Sequence, residues 1–182
     1  YRDDGEDPGA SWIAVDFDDS AWPQGKSKLG YGDDDNATEL EFGKDKNSKP
    51  LTCYFRKAFE LPAGGKVESV DFRLRVDDGA VVYLNGSEVL RSNLPSESDT
   101  STLAEEEITG TEEQLFHAES VPLDQLQAGE NILAVELHQA SIDSEDLVFE
   151  LRLGVEGGDE IISSGADWEW TTDEPDRWTL LD

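Results

Sequence analysis

The sequence predicts an all-β sandwich or barrel. Three observations carry that expectation. Apolar residues recur at every second position in several runs, Gly-containing turn pairs separate those runs, and no segment has the pattern of a three-turn amphipathic helix.

The elements follow in order. Residues 52–61, from Thr52 to Leu61, read as a strand whose alternation Lys57 interrupts. Val70, Phe72, Leu74 and Val76 share one face of the next strand, with Asp71, Arg73 and Arg75 on the other. Asp78-Gly79 ends that run and opens another from Ala80 to Leu84. Asn85-Gly86 then predicts a hairpin into Ser87–Asn93, because both central residues of a type I′ turn must accept positive φ. Residues 95–110 are polar and acidic and predict a long surface loop. Residues 111–123 read as a further, less regular strand, and 123–131 as one helical turn or a tight loop ending at Gly129. Leu133, Val135 and Leu137 mark a strand face, and so do Leu147, Phe149, Leu151 and Leu153. Gly and Ser then dominate 154–167, a hinge with Ile161-Ile162 as a short strand inside it.

Composition narrows the function. Fourteen basic residues against 43 acidic ones give a net charge of −29 in 182 residues. Phosphate backbones and anionic membranes repel such a surface, so nucleic-acid partners are excluded. Self-repulsion at this charge weakens in salt, as the screening length falls from about 10 Å at 0.1 M to about 3 Å at 1 M. That favours an extracellular, secreted or cell-surface setting, with seawater or brine well suited. No apolar run approaches the ~20 residues of a membrane helix. The single cysteine, Cys53, lies in an apolar run and reads as a buried, inert thiol. There is no methionine, so Tyr1 reads as the start of a processed product or an excerpt. No nucleophile elbow, phosphate loop or His-Glu-x-x-His motif occurs, and the expectation is a chain that is not an enzyme.

The chain's end resembles its beginning. Trp178 to Asp182 lies over Trp12 to Asp16, with the same Trp-to-Asp step and apolar residues between, 166 residues apart. An acidic segment with one proline, Pro175 or Pro8, precedes each tryptophan. Trp170 and Tyr1 stand before those segments.

Several phrases together resemble the galactose-binding-like jelly-roll domains repeated as accessory modules in large secreted bacterial proteins. They are Trp12 with Phe17 to Trp22, Leu29 to Asp33, Tyr54-Phe55-Arg56 with Phe59, Val76 to Pro95, Leu126 to Gln139 and Asp146 to Leu153. The resemblance covers roughly residues 1–155. It implies a jelly-roll of about eight or nine strands, with a role in binding or assembly. The family's first strand carries a tryptophan just before the position of Tyr1; here Trp168 and Trp170 supply what the opening lacks. The expected organisation is a sandwich over 1–155, then a linker and the first-strand motif of a following or exchanged repeat over 156–182.

Calcium is the expected cofactor, if any. It takes six to eight oxygens from carboxylates, carbonyls and water, and jelly-rolls of this type often carry one structurally. Asp33, Asp34 and Asp35 are the first candidates, then Asp77 with Asp78, and Asp143 with Asp146. The other reading of these acids is a solvated surface, with Asp78 serving a turn. Arg91, Asn93, His138 and Gln139 match polar positions of the family. They face a carbohydrate ligand, or they tie the 95–110 loop to the sandwich; the second is favoured. Trp12 and Trp22 read as core residues, and Asn36-Ala-Thr38 fits a glycosylation acceptor.

A sandwich lacking an edge strand exposes backbone donors and part of its core. A strand carrying Trp168 and Trp170, with Trp178 beyond it, would repair both. Burying about 200 Å² of one indole offers at most about 5 kcal/mol before entropy is subtracted. The strand could belong to the next domain of a tandem chain, complete a separate neighbouring subunit, or fold back into its own sandwich. The first two are head-to-tail and propagate into filaments. The functional expectation is therefore a structural module whose partners are neighbouring copies of itself. The alternative is a calcium-assisted carbohydrate-binding module of a secreted enzyme or adhesin.

Overall fold

A computed structural model describes residues 10–40, 49–61, 70–121, 123–155 and 160–171. Among the described residues, twelve strands form two sheets: β1 (Gln24–Lys26), β2 (Leu29–Tyr31), β3 (Thr38–Glu39), β4 (Thr52–Leu61), β5 (Val70–Asp77), β6 (Gly79–Leu84), β7 (Ser87–Ser92), β8 (His117–Val121), β9 (Gly129–His138), β10 (Leu147–Val155), β11 (Glu160–Ile162) and β12 (Asp167–Thr171). The architecture is a β-sandwich. Eight strands run five residues or more; the other four, β1, β2, β3 and β11, run two or three. The eight longer strands agree with the eight or nine that the resemblance implies, and the short ones are additional.

The first sheet has the order β1-β12-β4-β9-β6-β7, all antiparallel. The second has the order β3-β2-β10-β5-β8, with β11 on the edge of β10 beyond β2. β2 and β3 pair in parallel. Alternation sends Cys53, Phe55, Phe59 and Leu61 of β4 into the space between the sheets. They meet Phe72 and Leu74 of β5 and Phe149 and Leu151 of β10, all at most 2% exposed. Phe55 stacks on Phe149 across the gap, ring centroids 4.2 Å apart. Cys53 is fully buried, and that burial pushes its thiol up to about 12, which makes it inert at neutral pH.

The outer face of the first sheet is covered too. A 3₁₀ turn at Ala10–Ile13 sets Trp12 against Tyr54 and Tyr83, edge-on at 5.0 and 5.8 Å. Trp22 joins the same cluster, so both tryptophans fill apolar packing. Arg56, on that face, is 1% exposed and donates to Asp19 at 2.8 Å and to the carbonyls of Trp12 and Ala14.

The turns behave individually. Asn85 (φ 50°) and Gly86 (φ 85°) make the β6–β7 hairpin, and the Asn85 amide donates to Asn131 and to the Gln125 carbonyl. Asp78, by contrast, carries the chain out of one sheet and into the other. The strand expected over 111–123 is shorter, β8, between 3₁₀ turns at Glu112–Gln114 and Leu123–Gln125. Arg75 holds the first turn out of the ladder, donating to the Glu113 carbonyl and the Gln114 side chain. The 95–110 segment has no strand and lies as a loop. Among the described residues no helix is long and apolar enough to cross a membrane.

Candidate functional site

Two places gather the candidate residues. The first is the corner between β5 and β6. Asp77 and Asp78 are each 2% exposed, buried where the chain changes sheets. The Asp78 carboxylate accepts from the N–H groups of Ile108 and Ala140, each at 2.7 Å. One buried side chain thus fixes two loops, the 95–110 loop and the segment after β9. Asp77 has a different fate. Burial, a hydrogen bond to Asp78 and the charges of Asp78, Asp146 and Glu113 push it up to about 9, so it is protonated at neutral pH. Beside it opens a cleft of about 400 Å³ lined by Asp77, Glu107, Glu113, Asp143, Glu145 and Asp146, together with Thr109, Ser141 and Ser144.

The polar quartet belongs to the same end. Arg91 donates to the Pro95 carbonyl at 2.8 Å and to Ser98. Asn93 donates to the Glu106 carbonyl at 2.6 Å and accepts from the Glu106 N–H. The His138 Nδ1 lies 2.8 Å from the Thr102 carbonyl, which makes Nδ1 the protonated nitrogen. Gln139 donates to the Tyr31 hydroxyl and to the Asp146 carbonyl. The first three therefore clamp the loop onto the first sheet, and Gln139 ties the two sheets together.

The Asp33–Asp35 loop has its own cation. Lys28, 6% exposed, donates from Nζ to Asp33 at 2.6 Å and to Asp35 at 2.5 Å. Those bonds hold Asp35 below the usual carboxylate range. Asp34 is exposed on the same loop, and the Asn36 side-chain amide is buried, closed to a glycan donor. Among the described residues, no three His, Cys, Asp or Glu side chains converge as a metal requires. Lys28 occupies the first candidate, and both oxygens of Asp78 are committed to backbone N–H groups.

The second place is the slot of β12. This strand lies between β1 and β4, with Trp168 opposite Gly25 and Glu169 opposite Arg56. Trp168 is fully buried in the main core. Lys57 donates to the Asp167 carbonyl at 2.7 Å, and Gln24 to Glu169 at 2.9 Å. Trp170 sits at the register position opposite Phe55. Trp178 and the repeated opening at Tyr1 and Pro8 lie outside the described residues, as does Pro175.

Sequence reasoning missed Lys28, Arg56 and Glu136. Glu136 accepts from Tyr83 at 3.1 Å and from Ser98 at 3.2 Å, with His138 Nε2 3.8 Å away. Charges on an outward strand face, such as Arg56 and Glu136, carry no local signal of burial. Only the segments laid over that face reveal it.

No family model matches the chain. No curated protein matches it either. Solved structures do. The α-L-rhamnosidase of Streptomyces avermitilis complexed with L-rhamnose aligns at TM-score 0.50 and 23% identity, over 78% of this chain and 13% of that one. The likeness is one of fold. A GH78 family rhamnosidase of Bacillus sp. GL1 aligns at TM-score 0.45 and 19% identity, over 71% of this chain and 12% of that one. A β-glucuronidase from glycoside hydrolase family 2 aligns at 0.46 and 21%, over 74% and 12%. These neighbours are glycoside hydrolases, and this chain spans only a small part of each.

Proposed function

We propose that this chain is a non-catalytic structural module that joins copies of itself head to tail through β12. The observation that supports this reading is the seating of Trp168. A strand late in the sequence enters a sheet between the edge strand β1 and β4 and contributes a fully buried indole to the core. The strand before it, β11, pairs with β10, and the turn between β11 and β12 runs through Gly165 at φ 78°. A strand seated within one chain can occupy the same slot of a second copy with identical pairing, since every bond it makes is available there. Carried in a longer polypeptide with further copies, it would join consecutive modules. The net charge of −29 opposes that association in dilute buffer and opposes it less in salt.

Partial unfolding and refolding of the full chain at high concentration in 0.5–1 M salt, followed by light scattering, tests the reading. Exchange gives species at whole multiples of the monomer mass that persist on dilution and revert only on unfolding. A chain that stays monomeric at every concentration overturns it.

A second reading is an accessory module of a carbohydrate-acting protein, binding sugar itself. The hydroxyl- and carboxylate-lined cleft beside Asp77 favours it, since such groups accept from sugar hydroxyls. The fold likeness to a small part of a rhamnosidase agrees with an appended module. Glycan-array binding that Asp146→Ala abolishes would favour this reading; silence across the array would remove it.

A further inference from the structure

Arg56 has a nitrogen to spare. Its guanidinium lies on the outer face of the first sheet, 1% exposed, under the segment that carries Trp12 and Asp19. Nε donates to Asp19, and Nη1 donates to the carbonyls of Trp12 and Ala14. Nη2 donates to no described group and is not sealed away from solvent. Buried charged donors are nearly always partnered, so the exception asks what the missing acceptor is. Arg56 lines a pocket of about 230 Å³ on this face, and Nη2 is the nitrogen left to serve it. Phe17, with its ring centroid 5.0 Å from the guanidinium carbon, forms an apolar wall there with Ala58 of β4 and Ile132 of β9.

The same pocket holds acceptors. Glu130 of β9 and Glu169 of β12 line it, and Gln24 takes only one oxygen of Glu169. An occupant must therefore accept from Nη2 and donate to carboxylates at once. A metal ion or an ammonium group offers no acceptor. A carboxylate offers no donor and meets two acids. A hydroxyl group does both. We propose that this pocket binds one ring of a neutral sugar, its hydroxyls between Arg56 Nη2 and the carboxylates of Glu130 and Glu169, its C–H face on Phe17 and Ile132.

This rests on the carbohydrate-binding reading above and gives it a site on the first sheet, apart from the Asp77 cleft. The volume lies below the ~300 Å³ at which drug-sized sites begin, which suits a single ring and not an oligomer. Apolar wall and polar groups that fix orientation are the usual make-up of a small-molecule site. Glu169 belongs to β12, so the pocket is complete only when that strand is seated beside β4.

NMR titration of the full chain with D-galactose, D-glucose, D-mannose or L-rhamnose, each to about 50 mM, measures this at the Arg56 Nε–H and the Ile132 and Glu169 amides. The expected result is saturable shifts at these groups with at least one of the four sugars, and none with D-glucuronate or putrescine. Ala58→Phe fills the pocket from an exposed position and leaves the bonds of Arg56 in place; it is expected to weaken binding at least tenfold. Glu130→Ala, at an exposed acid of the rim, is expected to weaken it several-fold, and Asp146→Ala, in the Asp77 cleft, to leave it unchanged. Sugar binding that Asp146→Ala abolishes and Ala58→Phe spares overturns this site and leaves the carbohydrate reading standing. Silence with all four sugars overturns the site, and silence across the glycan array as well overturns both. A response to D-glucuronate or putrescine that matches the sugars would make charge the determinant and overturn the proposal.

Discussion

The indole of Trp168 stands edge-on to the ring of Phe149, centroids 5.0 Å apart and planes at 86°. Phe149 belongs to β10 of one sheet and Trp168 to β12 of the other, so the contact crosses the sandwich. It continues through Phe149 to the stacked ring of Phe55. Strand β12 therefore completes the aromatic centre of the core and is held by this packing as well as by its ladder.

Trp168→Ala should destabilise the protein by about 3–5 kcal/mol, as large-to-small changes at full burial do. Trp168→Phe should cost much less. The indole Nε1–H is buried without a partner, and removing an unpaired donor, a burden of about 1–3 kcal/mol, offsets part of the lost volume. Urea denaturation of both variants checks this. Equal losses would show that indole volume is not what seats β12.

Asp78→Ala should release the 95–110 loop. It strips the Ile108 and Ala140 N–H groups of their shared acceptor, both in part-buried positions. Each unpaired group costs about 1–3 kcal/mol. Limited proteolysis should then cut within 95–110 at rates the wild type does not show, while far-ultraviolet circular dichroism stays that of a β-sandwich. An uncut loop would mean that Arg91, Asn93 and His138 suffice as clamps.

Stability should fall as pH rises between about 4 and about 9. Asp77 is raised from 3.8 to about 9 in the fold, by burial first and then by the neighbouring carboxylates. The native state therefore holds a proton that the unfolded chain has lost through this window. The stabilising contribution is complete below about 4 and gone once pH passes the folded value. Asp77→Asn removes this dependence, so the Tm difference, variant minus wild type, should grow steadily from pH 5 to 9. Parallel pH profiles would place the protonated group elsewhere.

Much of the sandwich was legible in the chain. Leu147, Phe149, Leu151 and Leu153 alternate and all face the core, because side chains one strand step apart must point to opposite faces. Asn85-Gly86 specified its hairpin through the backbone angles those residues accept. Ile161 and Ile162 marked the short β11 inside a polar hinge. Arg56 and Glu150 lie on the faces of their strands turned away from the main core, yet they are 1% and 4% exposed. The covering groups, the Trp12 segment for Arg56 and Ser164 for Glu150, lie outside the local pattern. The pairing of Lys28 with Asp33 and Asp35 is likewise absent from any local pattern.

Period and turn chemistry are local properties, so the amino-acid order alone determined an all-β protein, its longer strands and the residues that line its core. Which strands become neighbours is not local. The placing of β12 between β1 and β4, more than a hundred residues upstream, and the convergence of Asp77, Glu113 and Asp146 on one cleft follow from closing the two sheets over a shared core. That closure depends on the fit of distant side chains to one another, and the tertiary structure alone decided it.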